Sequence, residues 1–229
     1  MLNTHSLNCA VLAGREDKAT RMFDIAYGVF HGTAFCLAPS LFLTAAHVFR
    51  DAKNDGDDVC VARLTPGNFH GVTVQDVELF EDIDLALLHC PGLAADILPL
   101  SFAPLPYLAD VIAAGFAFGF EPPVFHMRAF KGYIVNRRAH NRFGASPPGY
   151  ELSFIPPPGL SGAPLLTLMA DGVPHVCGIV LEHYTAEFQD RRMDLGIALD
   201  TEELLTLESR IVGGSIAERL FRRHKVNRK

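Results

Sequence analysis

Three short strings carry the residues whose types and spacing could do chemistry: LTAAHVF around His47, DIDLALLHC around Asp84 and PPPGLSGAPLL around Ser161. A serine hydroxyl is a poor nucleophile until a neighbouring base takes its proton during attack, and a histidine can do this near neutral pH. His47 is the candidate base. The base in turn needs a carboxylate on its other ring nitrogen, to fix the tautomer and support the imidazolium that forms. Asp84 stands directly before the apolar run LALL, and Asp82 would point the same way on an alternating strand, so both are candidates. Each string alone is a weak signal. A histidine after two alanines commonly ends a strand, an aspartate before LALL commonly marks a turn, and GLSGAP fits any tight turn.

The order of the three residues adds what the strings lack. With His47, Asp84 and Ser161 in that sequence, the chain resembles the trypsin-like (chymotrypsin-fold) serine peptidases, especially their bacterial HtrA-like and glutamyl-endopeptidase-like branches, without a PDZ domain. The likeness extends over roughly residues 25 to 210. It includes GTAF upstream of TAAH, VIAAGFAFG at the entry to a second barrel, and VCGIV and GIALD at the walls of a substrate pocket. The resemblance implies an all-β fold of two antiparallel β-barrels with C-terminal helices. It implies a triad of His47, Asp84 and Ser161, which selects Asp84 over Asp82. It also implies an oxyanion hole formed by the backbone N–H groups of Gly159 and Ser161, donors that need no reorganisation as charge develops. The primary pocket would have Ile155 at its base, Val180 and Leu181 in its wall, and Glu182 and His183 near its mouth. Ile155, Phe154 and Val180 suit an aliphatic substrate side chain, because an unpaired charge buried there is costly. Glu182 and His183 would instead favour a basic or polar one.

Two departures from the digestive branch matter. Leu160 stands where those enzymes carry an aspartate that pairs with a freed N-terminal amine, and Val48 stands where they place a cysteine. RIVGG, residues 210–214, resembles a zymogen activation junction, but no carboxylate waits for a new terminus. The loop PPPGLSG is then expected to be held by packing alone, open to a partner that favours its active arrangement.

Strands must position most of these residues. Short apolar or alternating runs bounded by Gly, Pro and Asp recur, among them TAFCLA, LFLTAAH, DVCVARL, LALLHC, DVIAAGFAF, YELSFI and LGIALD, a spacing that favours barrels over alternating βαβ units. The predicted organisation is an N-terminal barrel over 1–105 with the histidine and aspartate, a C-terminal barrel over 106–200 with the serine, and helices with a basic tail over 201–229. The proline-marked stretch 91–110 connects the halves. Only the end reads as helix. Asp200 with Glu203 and Ser215 with Glu218 make capping-box patterns, with Gly213 and Gly214 as the stop between two helices.

Composition narrows the function classes. A chain of 229 residues with 49% hydrophobic content can bury one large core or two small ones. No run approaches the roughly 18 apolar residues of a membrane helix, and the apolar stretch of LNCAVLAGRED is too short for a signal-peptide core, so a cytoplasmic protein is predicted. The five cysteines are widely spaced and never in a CxxC pair, which favours neither a disulfide framework nor a zinc site. No metal or cofactor is implied. Six Lys or Arg residues and no acid lie in 219–229, although the net charge is −6. An acidic body with a basic tail argues against nucleic acid and leaves docking to a regulatory protein open. An α/β-hydrolase elbow at Ser161, with Asp171 and His175 following, is disfavoured by the prolines on both sides. The expectation is a serine endopeptidase acting on proteins or peptides; the alternative is a catalytically silent peptide-binding or scaffold protein of the same fold.

Overall fold

A computed structural model describes residues 9–14, 16–17, 22–23, 29–56, 58–65, 68–117, 127–138, 148–170, 172–188 and 191–220. Strands dominate, as expected. The runs CAVLAG, VFHGTAFCLA and LFLTA are apolar almost throughout, the pattern of strands covered on both faces. They form β1 (Cys9–Gly14), β4 (Val29–Ala38) and β5 (Leu41–Ala45). Between the first two lies a ribbon of β2 (Glu16–Asp17) and β3 (Met22–Phe23). With β6 (Asp58–Thr65), β7 (Asn68–Thr73), β8 (Asp76–Phe80) and β9 (Leu85–His89), the first half makes a seven-stranded antiparallel sheet in the order β7-β6-β1-β4-β5-β9-β8. The stretch read above only as too short for a leader is thus a central strand.

The second half closes on itself. Strands β10 (Asp110–Phe116), β11 (Met127–Arg138), β12 (Gly149–Leu152), β13 (Pro164–Leu168), β14 (Pro174–Phe188) and β15 (Arg191–Asp200) form a barrel in the order β10-β11-β12-β15-β14-β13. Closure leaves no edge strand to protect. Its interior holds Val111, Ile134, Tyr150, Leu152, Leu160 and Leu165, all fully buried. The largest core belongs to both halves, since Leu166, Val176, Ile179 and Leu199 of the barrel pack with Phe35, Leu43 and Leu87 of the sheet. Phe30 and Phe116 meet edge-to-face across the same seam, with ring centroids 6.2 Å apart. Among the described residues no helix is long and apolar enough to cross a membrane.

The helices depart from the sequence reading in two places. Helix α1 (Ala46–Asp55) follows β5 directly, where only strand was expected. Its Ala46, Val48 and Ala52 are buried, but Ala45 at its N-cap supplies no side-chain acceptor, so the usual capping signal is missing. At the other end, Asp200 accepts from the Glu202 N–H and caps only a 3₁₀ turn, Thr201–Leu205, instead of an α-helix. The predicted helix through 210–212 is replaced by a hairpin of β16 (Glu208–Ser209) and β17 (Gly214–Ser215). Gly213 and Gly214, with φ of 74° and 150°, turn this hairpin. The Ser215 cap is kept: its Oγ accepts from the Glu218 N–H, and helical backbone runs over 216–220. The basic tail beyond Leu220 lies outside the described residues.

This hairpin straps the end of the chain to the first sheet. Arg210 donates twice to the Asp76 carboxylate at 2.8 Å and again to the Val77 carbonyl, while its own N–H and the Ser209 hydroxyl donate to Glu78. Strand β8 ends its sheet, so the strap covers backbone that would otherwise be open to another strand. All five cysteines are buried free thiols, and burial pushes Cys9 and Cys177 up to about 12.

The Arg210 hydrogen bonds hold the Asp76 carboxyl below its ordinary value. A carboxylate so depressed contributes stability above its unfolded value of about 3.9 and loses it as the pH falls through the lower folded value. Replacing Arg210 with Ala should therefore lower the thermal midpoint slightly at pH 7, and the difference from the parent protein should vanish in strong acid. Calorimetry across that pH range would show packing, not pairing, to be the cause if the difference persisted.

Candidate active site

His47 is carried on the first turn of α1, and Asp84 is brought to that turn from β8 and β9. Glu81–Ile83 form a 3₁₀ turn that ends at Asp84 in the left-handed region, φ 52°, a conformation aspartate tolerates better than most residues. The carboxylate then lies at the start of α1. Its Oδ1 accepts the backbone N–H of His47 at 2.9 Å, its Oδ2 lies 2.6 Å from His47 Nδ1, and its carbonyl accepts the Ala46 N–H. Asp84 is the missing N-cap of α1, supplied from another strand, and it places negative charge where the helix dipole favours it. With the Nδ1 proton directed to Asp84, Nε2 keeps a lone pair to accept a proton.

Asp82, the alternative acid, borders the same hollow as His47 but makes no hydrogen bond to it. The hollow is lined by His47, Arg50, Glu81, Asp82, Asp84, Leu181 and Glu182. Arg50 pairs with Glu81 and approaches Asp84 at 3.9 Å. The largest influence on the His47 imidazole is burial, which lowers its pKa. The hydrogen bond and charge of Asp84, with the charges of Glu182 and Asp51, outweigh it and leave a net upward shift.

Ser161 sits between two tight turns. Pro157 accepts from the Leu160 N–H at 3.1 Å across Pro158 and Gly159. Proline fixes a negative φ at the second position and Gly159 has φ 87° at the third, so this is a type II turn. A second turn, closed by Ala163 N–H to the Leu160 carbonyl, has Gly162 at φ 82°. A side chain at Gly162 would meet the Thr33 carbonyl at 2.0 Å and Thr44 Oγ1 at 2.3 Å, and Ala45 N lies 3.1 Å from the same point. The residue after the serine therefore rests against the chain two residues before His47. Among the described residues Ser161 Oγ makes no hydrogen bond to His47; such contacts often tighten only when substrate is present.

The backbone donors of this loop alternate. The N–H groups of Leu160, Gly162 and Ala163 are all engaged, with Pro157, Val180 and Leu160 carbonyls. Those of Gly159 and Ser161, the pair expected to form the oxyanion hole, donate to nothing among the described residues. Leu160, which stands where the digestive branch carries an aspartate, is fully buried in the barrel interior. The expectation that packing alone holds the loop is incorrect: Thr33 donates its hydroxyl to the Gly159 carbonyl and its N–H to the Ser161 carbonyl, both at 2.9 Å. Thr33 belongs to none of the three strings that carry the candidate residues. Its place in GTAF is the one trace it leaves in the sequence.

The expected pocket residues are only partly assembled. Leu181 and Glu182 reach the hollow beside His47. Val180 is buried, and its backbone is bonded to Gly162 and Ala163. Ile155 is 50% exposed, so it offers open apolar surface and is no buried base. A side chain at Gly196 would strike the Phe154 carbonyl and Pro156, which places β15 directly behind the 154–156 segment. The side chain of His183 lies outside the described residues, as do Asp171 and His140. His175, on β13's partner strand β14, pairs with Thr167 and is remote from the loop turns. No group of three or more His, Cys, Asp or Glu suited to a metal occurs among the described residues.

The family described as "Trypsin-like peptidase domain" matches residues 32–178, well over half of the chain. No curated protein matches the sequence. Among solved structures, an inactive mutant form of Rv3671c from M. tuberculosis H37Rv is similar at 19% identity and TM-score 0.57, covering 96% of this chain and 87% of that one. The active form of the Rv3671c protease aligns at 21% identity and TM-score 0.60, over 88% and 78%. The MamO protease domain from Magnetospirillum magneticum aligns at 15% identity and TM-score 0.61, over 91% and 99%. At such identities these likenesses establish the shared fold.

An upward-shifted His47 stays protonated, and useless as a base, to a higher pH. The acidic limb of kcat/KM should accordingly lie above 6.5. In Asp84→Asn the hydrogen bond and charge of Asp84 are lost while burial and the charges of Glu182 and Asp51 remain, so the limb should move to lower pH, while the plateau falls about 10⁴-fold through the wrong tautomer. A pH–rate profile unchanged by this substitution would separate Asp84 from the base.

Proposed function

Because the chain belongs to the trypsin-like peptidase family, we propose that it is a serine endopeptidase in which Ser161, His47 and Asp84 cleave peptide bonds through an acyl-enzyme. The observation that carries this reading is the pair of unengaged N–H groups, the serine's own and that of Gly159, in a loop where the donors of Leu160, Gly162 and Ala163 are spent. Backbone donors left unpaired in a folded loop are uncommon, which supports a role for this pair in holding a carbonyl oxygen as it gains charge.

In the proposed reaction Ser161 Oγ attacks the scissile carbonyl as its proton passes to His47 Nε2. The oxygen of the tetrahedral intermediate is held by the two N–H groups. His47 then returns the proton to the departing amine as the C–N bond breaks, leaving an ester on Ser161. Water, activated by the same imidazole, hydrolyses that ester. Asp84 keeps its charge throughout and steadies the imidazolium.

Phe154 and the exposed Ile155 support an aliphatic preference for the residue before the scissile bond, and Glu182 supports a basic or polar neighbour near His47. The same proposal has the enzyme cytoplasmic and adjusted by a protein partner; five free thiols accord with a reducing compartment. Cleavage at Arg210 forms no part of activation. Leu160 offers no charge to a new terminus, and Arg210 is already occupied by Asp76.

Ser161→Ala removes one oxygen and should leave the circular dichroism spectrum and thermal midpoint unchanged, while abolishing both peptide hydrolysis and labelling by a fluorophosphonate. Activity surviving this change would identify another nucleophile. A wild-type chain that neither labels nor cleaves, in its uncut form, would favour the silent scaffold.

A further inference from the structure

Thr33 is a polar residue with no solvent exposure, placed on β4 in the first sheet. Its four polar contacts run outward to three different segments. The Phe116 N–H, at the end of β10, donates to its Oγ1 at 2.9 Å. The hydroxyl lies 2.9 Å from the Gly159 carbonyl. Its N–H donates to the Ser161 carbonyl at 2.9 Å, and its own carbonyl accepts from Thr44 Oγ1 at 2.8 Å. An amide can only donate, so the hydroxyl must accept from Phe116, and its single proton is left for Gly159. The rotor therefore has one satisfied orientation.

These contacts fall on alternate peptide planes around the nucleophile. The planes on either side of the Leu160–Ser161 peptide are pinned from the first sheet by Thr33, through its side chain on one and its main chain on the other. Thr44, which fixes the Thr33 carbonyl, lies on β5 three residues before His47. One short path of hydrogen bonds thus joins the element that carries the base to the loop that carries the nucleophile and both oxyanion donors. Gly115 leaves no room to substitute packing for these bonds, since a side chain there would lie 2.8 Å from Thr33 Oγ1 and 3.0 Å from Leu160.

We infer that Thr33 is a positioning residue for the proposed reaction: its buried hydroxyl sets the serine loop of the second barrel in register with His47 of the first sheet. The inference rests on the serine peptidase reading for its effect on rate, but not for the effect on the loop. Thr33→Val keeps the volume and removes the hydroxyl, leaving the Phe116 N–H and the Gly159 carbonyl without partners. Thr33→Ser keeps the hydroxyl and loses a methyl.

The test measures kcat and KM on a peptide substrate together with hydrogen exchange over residues 157–163, in the full chain. Thr33→Val should lower kcat about 10²-fold, the cost of a displacement near 1 Å at a reacting group. KM should stay within about threefold, because the loss is confined to the transition state. Exchange at 157–163 should rise. Thr33→Ser should recover most of kcat and the slow exchange. A Thr33→Val protein with wild-type kcat, or a Thr33→Ser protein as impaired as the valine variant, overturns the inference. If Thr33→Val does not fold, Thr44→Val takes its place, with selective loss of kcat supporting the assignment and unchanged kcat refuting it. A wild-type protein without peptidase activity would defeat the catalytic reading alone; exchange at 157–163 in the variants still decides whether Thr33 holds the loop.

Discussion

Both oxygens of Asp84 are committed to one residue, and the arrangement of the first half follows from that commitment. One oxygen takes the backbone N–H of His47 and the other faces its ring. The imidazole cannot swivel without losing Oδ2, and the carboxylate cannot turn to follow it without losing the backbone N–H that starts the helix. The same carboxylate thus sets a side-chain angle, a helix N-terminus and the charge behind the base. Its own position depends on a single left-handed residue ending a 3₁₀ turn between β8 and β9. A β-branched residue there would suffer both sterically and chemically.

The second constraint is the seam. The proposed nucleophile on one half and the proposed base on the other can meet only if the halves cannot drift, and association of two β structures by apolar contact alone fixes distance better than register. Here the seam combines a shared core with directional bonds. Phe30 against Phe116 and the Leu166, Ile179 and Leu199 contacts supply attraction. Thr33 and Thr44 supply direction. The strap from Ser209 and Arg210 to β8 adds a further tie, so the chain that leaves the barrel returns to the first sheet.

Much of the site was legible because its chemistry is local in sequence. Glycines at 159 and 162 announce turns of positive φ, and the proline before Gly159 dictates which turn. The alternating strand runs announced two β halves. What escaped the sequence depended on partners far along the chain. Helix α1 has no capping residue of its own because Asp84 does that work from another strand. Asp84, and not Asp82, meets His47 through a helical turn that no alternation would reveal. Asp200 does cap, but through the Glu202 N–H, and the 3₁₀ turn stops after five residues; Arg210 finds its acids in β8, and the next segment forms a hairpin. The pocket residues were the least legible, as walls built from loops take their shape from backbone paths more than from residue types.

The five cysteines, sealed in three buried clusters with Cys9 and Cys177 pushed up to about 12, have a use that their inertness creates. A thiol so held is neither nucleophile nor redox partner while the strands around it stay closed. It becomes reactive only in the instants when local structure opens. The consumption of a thiol reagent then keeps time for the fold: each cysteine is a counter sealed into its own strand or its end, in β1, β4, β6, just past β9, and in β14. Read separately, the counters would report which half opens first.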